Sequence, residues 1–248
     1  MKKLFGNMTK KKIILMAVAA VLLIAIVWGA IYLFGTYLPE KREHEELMRQ
    51  VEKYYADKIE TYKAQNEKYG DFEVDVAFLG DSLTDGYDLG RYYPQYLTVN
   101  RGIGGETTHG LEKRLDVSLF DLKPKVAVIL IGANNMDSMF ENYENMLIEI
   151  KKKAPDTKII LCSLTSMGGE SWGKKNHLAA YNNVGIKLMA KKYGFEFVDL
   201  YSALFDLATG EIVAEYTTDG GHLTHEGYVV FTEAVTPVID ALLADWGK

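Results

Sequence analysis

Residues 13–34 form a run of 22 positions without a charged side chain. At 1.5 Å per residue, a helix of that length crosses a hydrocarbon core of about 30 Å. No other feature narrows the conformation as far, because in lipid every backbone N–H and C=O must be bonded within the chain, which leaves an isolated span only the helix. A cleaved signal peptide has a shorter apolar region, about 7 to 15 residues, closed by a small-x-small site. Here Trp28, Tyr32 and Phe34 occupy that end, so the pattern predicts a retained single-pass transmembrane anchor. Lys2, Lys3, Lys10, Lys11 and Lys12 precede it with no acid among them, whereas Lys41, Arg42 and Arg49 follow it among four acids. The positive-inside bias then places the N-terminus in the cytoplasm and the rest of the chain outside.

With those five lysines set aside, 23 basic residues face 34 acidic ones. So acidic a body lacks the basic stripe that phosphate backbones require, which argues against a nucleic-acid partner. The one cysteine, Cys162, lies in the apolar run 159–162 and reads as a small buried hydrophobe; a single thiol builds neither a disulfide framework nor a zinc set. His44, His109, His177 and His225 show no metal-ligand spacing, and no metal or cofactor is expected.

Between Glu40 and Tyr69 the chain is highly charged, yet Leu47, Val51, Tyr54, Tyr55, Ile59 and Tyr62 recur at spacings of three and four. This is an amphipathic stalk helix whose stripe packs on the globular body or serves a short dimerising coiled coil. The expected organisation is a lysine-rich cytoplasmic tail over 1–12, the anchor over 13–34, the stalk over 35–70 and a globular domain over 71–248.

Beyond Gly70, short apolar runs alternate with longer amphipathic stretches, as in a parallel sheet covered by helices. Strands are expected at 74–79, 98–100, 125–131, 158–164 and 196–199, and helices at 107–118, 143–153, 175–193 and 224–246. The unbroken apolar run 126–131 suits a strand buried on both faces. Ligands of such sheets bind beyond the carboxyl ends of the strands, so the polar residues after each strand matter most. They are Gly80-Asp81-Ser82-Leu83-Thr84, then Asn100 to Gly105, then Gly132-Ala133-Asn134-Asn135, with Asp219-Gly220-Gly221-His222 before the last helix.

A serine hydroxyl is a weak nucleophile until an imidazole takes its proton, and the imidazole needs an acceptor on its other nitrogen. Ser82, His222 and Asp219 supply these parts. Donors for the oxyanion of a tetrahedral intermediate are the backbone N–H groups of Ser82 and Gly105 and the side-chain amide of Asn134. These four blocks, in this order over residues 80–222, resemble those of the SGNH hydrolases (GDSL-type esterases and lipases). The resemblance implies a three-layer α/β/α flavodoxin-like fold, strand order 2-1-3-4-5, and ester hydrolysis through an acyl-enzyme without metal or cofactor. Asn135 stands where many members carry Asp, which bears on what supports that loop rather than on the donor. The donating glycine lies in the 102–105 cluster.

A rival motif, Gly169-Glu170-Ser171-Trp172-Gly173, matches a G-x-S-x-G nucleophile elbow. An elbow sits directly between strand and helix, but residues 165–168 intervene here, so Ser171 is rejected. Trp172 is instead expected to contact a sugar or acyl group. His225 is the one substitute base, and its partner at the same spacing would be His222, which cannot serve as an anion. The expected activity is hydrolysis of small acyl, chiefly acetyl, esters of carbohydrates. Acyl transfer to a cell-wall glycan, a lysophospholipase- or thioesterase-like activity, and a non-catalytic surface module are the other classes.

Overall fold

The computed structural model of the chain describes residues 9–247; Lys2 and Lys3 of the expected tail lie outside the described residues. The chain divides into two compact units, Met1–Asp57 and Lys58–Lys248.

In the first unit, α1 (Lys10–Tyr32) has no buried residue and is long and apolar enough for a membrane span or a signal segment. A π-helical turn, Leu33–Tyr37, separates it from α2 (Leu38–Asn66). Pro39 accounts for the wider turn. It has no N–H to return to the fourth preceding carbonyl and its ring crowds that carbonyl, and the register shifts so that Leu38 N–H donates to Leu33 O.

The second unit is built on five parallel strands: β1 (Val76–Gly80), β2 (Thr98–Gly102), β3 (Val126–Leu130), β4 (Lys158–Cys162) and β5 (Glu196–Val198), in the order β2-β1-β3-β4-β5. The expected strand order holds. Every residue of β1 and β3 is buried, as continuous apolar strands covered on both faces must be. One covering layer contains α5 (Thr108–Lys113), α6 (Phe140–Lys153) and α8 (Asn176–Tyr193), with α5 on α6 and α6 on α8. The other is dominated by α10 (His225–Ala244), whose Tyr228 and Phe231 pack on Tyr87 from the β1–β2 connection.

Several short elements escaped the sequence reading: α3 (Ser82–Asp85), α4 (Leu89–Tyr92), α7 (Gly169–Trp172), α9 (Leu200–Leu204) and the antiparallel pair β6 (Phe205–Asp206) and β7 (Glu211–Ile212). None is long enough to show a hydrophobic period. The helix expected at 107–118 stops at Lys113 and resumes as a π-helical turn, Asp116–Phe120.

Candidate active site

All four polar loops lie at the carboxyl rim of the sheet. Gly80 ends β1 and registers with Gly102 at the end of β2 and Leu130 at the end of β3, so equal strand ends bring the loops that follow to one place. Gly102 must be glycine for a steric reason. A Cβ there would lie 2.2 Å from the backbone nitrogen of Asp85 on α3, so α3 and the end of β2 touch through backbone alone.

Asp81 caps α3, accepting Leu83 N–H at 3.2 Å, and Ser82 opens the helix. Ser82 Oγ lies 3.0 Å from His222 Nε2, and His222 Nδ1 lies 2.8 Å from Asp219 Oδ2. The other Asp219 oxygen accepts the backbone N–H groups of His222 at 2.7 Å and Gly221 at 2.9 Å. Partial burial pushes the Asp219 carboxyl up, but these two N–H donors and the imidazole outweigh it and hold the group well below the usual carboxylate range. An anion at that position fixes an Nδ1–H tautomer and leaves Nε2 free to accept the serine proton. The structure thus brings together the three residues expected to act together.

The loops that follow β2 and β3 are equally specific. Glu106 N–H donates to Ile103 O at 3.2 Å, closing a turn with Gly105 at its third position and φ of 76°. A type II turn requires a positive φ there, which glycine adopts without strain. Asn134 donates one amide hydrogen to Glu106 O at 2.8 Å; the amide carries a second. Gly105 and Asn134 are both exposed and sit on loops joined by that bond. Asn135 takes over the support expected of an Asp. It accepts Thr108 N–H at 3.2 Å and donates to Thr108 Oγ1 at 2.9 Å.

Trp172 is half-buried, with its ring 5.9 Å from that of His222, edge to face at 88°. It lies on Gly221, where a Cβ would meet the indole at 2.5 Å. Gly168 N–H donates to Gly220 O at 2.9 Å, so the 168–172 segment supports the Asp219–His222 loop. Ser171 is exposed on α7, with residues 163–168 between it and β4. His225 is bound elsewhere, its Nδ1 2.6 Å from Tyr92 Oη and its Nε2 3.1 Å from Arg91. Among the described residues no group of three or more His, Cys, Asp or Glu is placed to hold a metal ion.

Two site-supporting residues were missed from sequence. Arg114 and Glu106 form an ion pair at 3.1 Å with side chains 2% and 7% exposed. Arg114 also donates to Gly80 O at 3.0 Å, Arg101 O at 2.9 Å and Ser118 Oγ at 2.8 Å, tying together the ends of β1 and β2. The available signal was an arginine among Leu111, Leu115 and Ser118 at helical spacing, a cation on a face that is otherwise buried.

The four loops on the carboxyl rim of this parallel sheet, with Ser82, His222 and Asp219 in contact on it, are the arrangement of a carboxylic ester hydrolase. The family model of the GDSL-like Lipase/Acylhydrolase family matches residues 78–230, and the chain belongs to that family. Platelet-activating factor acetylhydrolase IB subunit alpha2 of Homo sapiens is 29% identical over 184 residues, which cover 71% of this chain and 80% of that protein; the Rattus norvegicus protein matches to the same extent. A candidate acylhydrolase from Bacteroides fragilis superposes with a TM-score of 0.66 at 25% identity, covering 73% of this chain and 95% of its own. A GDSL-like lipase from Bacteroides thetaiotaomicron shares the fold, with a TM-score of 0.65 at 24% identity over 74% and 97% of the two chains.

Proposed function

We propose that the chain is a membrane-anchored, extracytoplasmic serine esterase that removes small acyl groups, chiefly acetyl, from carbohydrate esters. The observation that carries the chemistry is the bonded series Asp219–His222–Ser82. In this reading Ser82 Oγ attacks the acyl carbon while its proton passes to His222 Nε2, and the ionised Asp219 stabilises the imidazolium. The intermediate's oxyanion accepts from Ser82 N–H, Gly105 N–H and the second amide hydrogen of Asn134. Collapse returns the proton to the departing alkoxide. Water, deprotonated by the same imidazole, then releases the acid from Ser82.

Three features support the finer reading. The curated relatives are acetylhydrolases by name. Thr107, His109, Asn135, Ser138, Glu141 and Asn142 line a cleft of about 480 Å³ beside Asn134, and their hydroxyl, amide, carboxylate and imidazole groups suit sugar hydroxyls; Trp172 adds an aromatic wall near His222. The side chains of His222 and Asp219 are 43% and 45% exposed, which admits water as the acyl acceptor and favours hydrolysis over transfer to a glycan. Anchoring rests on the wholly exposed α1, and the exposed Leu47 and Val51 of α2 suit dimerisation with a second copy of that helix. A lipid-ester substrate is the second reading, favoured by a family that includes lipases and by an anchor that would keep the site near a bilayer.

Residues 36–248, assayed on p-nitrophenyl acetate, butyrate and octanoate and on acetylated xylan, with and without a sugar acceptor, test the proposal. Acetate should be the best chain length and Ser82→Ala should abolish turnover. Activity that survives in Ser82→Ala but is lost in Ser171→Ala would overturn the nucleophile, and preference for octanoate would favour the lipid ester.

A further inference from the structure

The last turns of α2 read from sequence as the end of a stalk, yet they belong to the second compact unit, which begins at Lys58. Three of their side chains reach the loops of the candidate active site. Tyr62, 3% exposed, donates its hydroxyl to Gly102 O. Lys58 pairs with Asp85, the last residue of the nucleophile helix α3. Asn66 Oδ1 accepts from the Arg101 guanidinium at 2.8 Å.

Arg101 explains why this end of α2 is fixed so firmly. It is fully buried on β2, and burial lowers its pKa to about 10. Among the described residues no carboxylate bonds it. Its guanidinium instead donates to the Gln65 and Asn66 side chains and to Asn100 O, with Tyr62's ring 4.7 Å from its central carbon. A buried cation held by side-chain oxygens, a π face and the negative end of a helix keeps those partners only while that helix stays in place, and its Nε–H has no hydrogen-bond partner among the described residues.

Gly102 is where these contacts converge on chemistry. It ends β2, touches Asp85 through the missing Cβ, and leads directly into the Ile103–Glu106 turn that presents Gly105. We propose that Tyr62 is a positioning residue for the oxyanion loop. Its hydroxyl fixes the carbonyl from which the turn departs, while Lys58 fixes the neighbouring end of α3, so α2 sets the separation of the Ser82 and Gly105 N–H donors. Small displacements suffice, since oxyanion donors act only within about 2.7–3.1 Å of the developing charge and misplacement by about 1 Å costs on the order of 10²-fold in rate. The inference rests on the catalytic reading of Ser82 given above.

The test is Tyr62→Phe in the full-length chain in detergent micelles. This change keeps the ring beside Arg101 and removes only the hydroxyl. The expected result is a fall of about 10-fold in kcat on p-nitrophenyl acetate with KM unchanged and the melting temperature within about 2 °C of the parent. Affinity for an alkyl boronic acid, which forms a tetrahedral anion on serine, should fall by the same factor. Lys58→Met should move kcat and boronate affinity in the same direction. Unchanged kcat in both variants, or a loss of kcat without loss of boronate affinity, would overturn the role of Tyr62. Ser82→Ala run in parallel separates the two ideas: activity remaining there defeats the nucleophile assignment itself.

Discussion

Asp81 illustrates how one residue serves two masters. As the cap of α3 it must sit at the end of β1, where it is 2% exposed and its Oδ2 has no hydrogen-bond partner among the described residues. Burial therefore pushes its carboxyl up to about 7, against the smaller opposing effects of Leu83 N–H and the nearby His222. An unfolded Asp ionises near pH 4. Between those values the folded protein holds a proton that the unfolded chain has released, so this group's contribution to stability falls as pH rises from about 4 to about 7 and is flat beyond. Asp81→Asn removes the titration while keeping an acceptor for Leu83. Its melting temperature relative to the parent should be higher at pH 8 than at pH 4.5; an equal offset at both pH values would refute the buried acid. Asn134→Ala tests the donor set: kcat should fall about 10²- to 10³-fold with a much smaller change in KM, and a pure KM effect would assign Asn134 to substrate binding instead. Ser82, Asp219 and His222 were singled out from sequence as partners, and the structure places them in hydrogen-bond contact. The charge state of Asp81 was not legible from sequence, because desolvation depends on what covers the group.

Among the elements, the segment from β2 through the Gly105 turn to α5 carries the most constraint. Gly102→Ala should be destabilising, by about 1–3 kcal/mol for an overpacked site, because the new methyl has only the backbone of α3 to displace; unfolding by urea measures it, with activity on p-nitrophenyl acetate falling in parallel. Arg114→Met should be worse, about 3–5 kcal/mol, since it strands a buried Glu106 carboxylate as well as the carbonyls of Gly80 and Arg101. Glu106→Gln keeps a neutral acceptor and should cost less. If the two variants melt alike, the carbonyl contacts of Arg114 contribute little. The long elements were placed within a few residues from sequence: β3 by its unbroken apolar run, and β1, α8 and α10 by the alternation of short apolar and longer amphipathic stretches. The break in α5 at Arg114 was not visible, because Arg114 bonds the ends of two strands that are distant in the chain.

For the whole molecule, the anchor reading predicts that the intact protein fractionates with membranes, resists carbonate extraction and partitions into detergent, whereas residues 36–248 are soluble with the same kcat. Protease treatment of intact cells should release the catalytic unit; complete protection would reverse the proposed orientation. The sequence by itself determined the apolar segment, the alternation that makes a covered parallel sheet, and the four polar loops, because each depends on residues near one another in the chain or on patterns of period two and 3.6. Only the tertiary structure decided which distant groups meet. The register of β1 with β2 and β3 aligned the loops, α2 delivered Tyr62 and Asn66 to β2, and the closed packing buried Arg101 and Asp81. Those contacts are set by strand order, crossover and burial, which no local stretch of residues encodes.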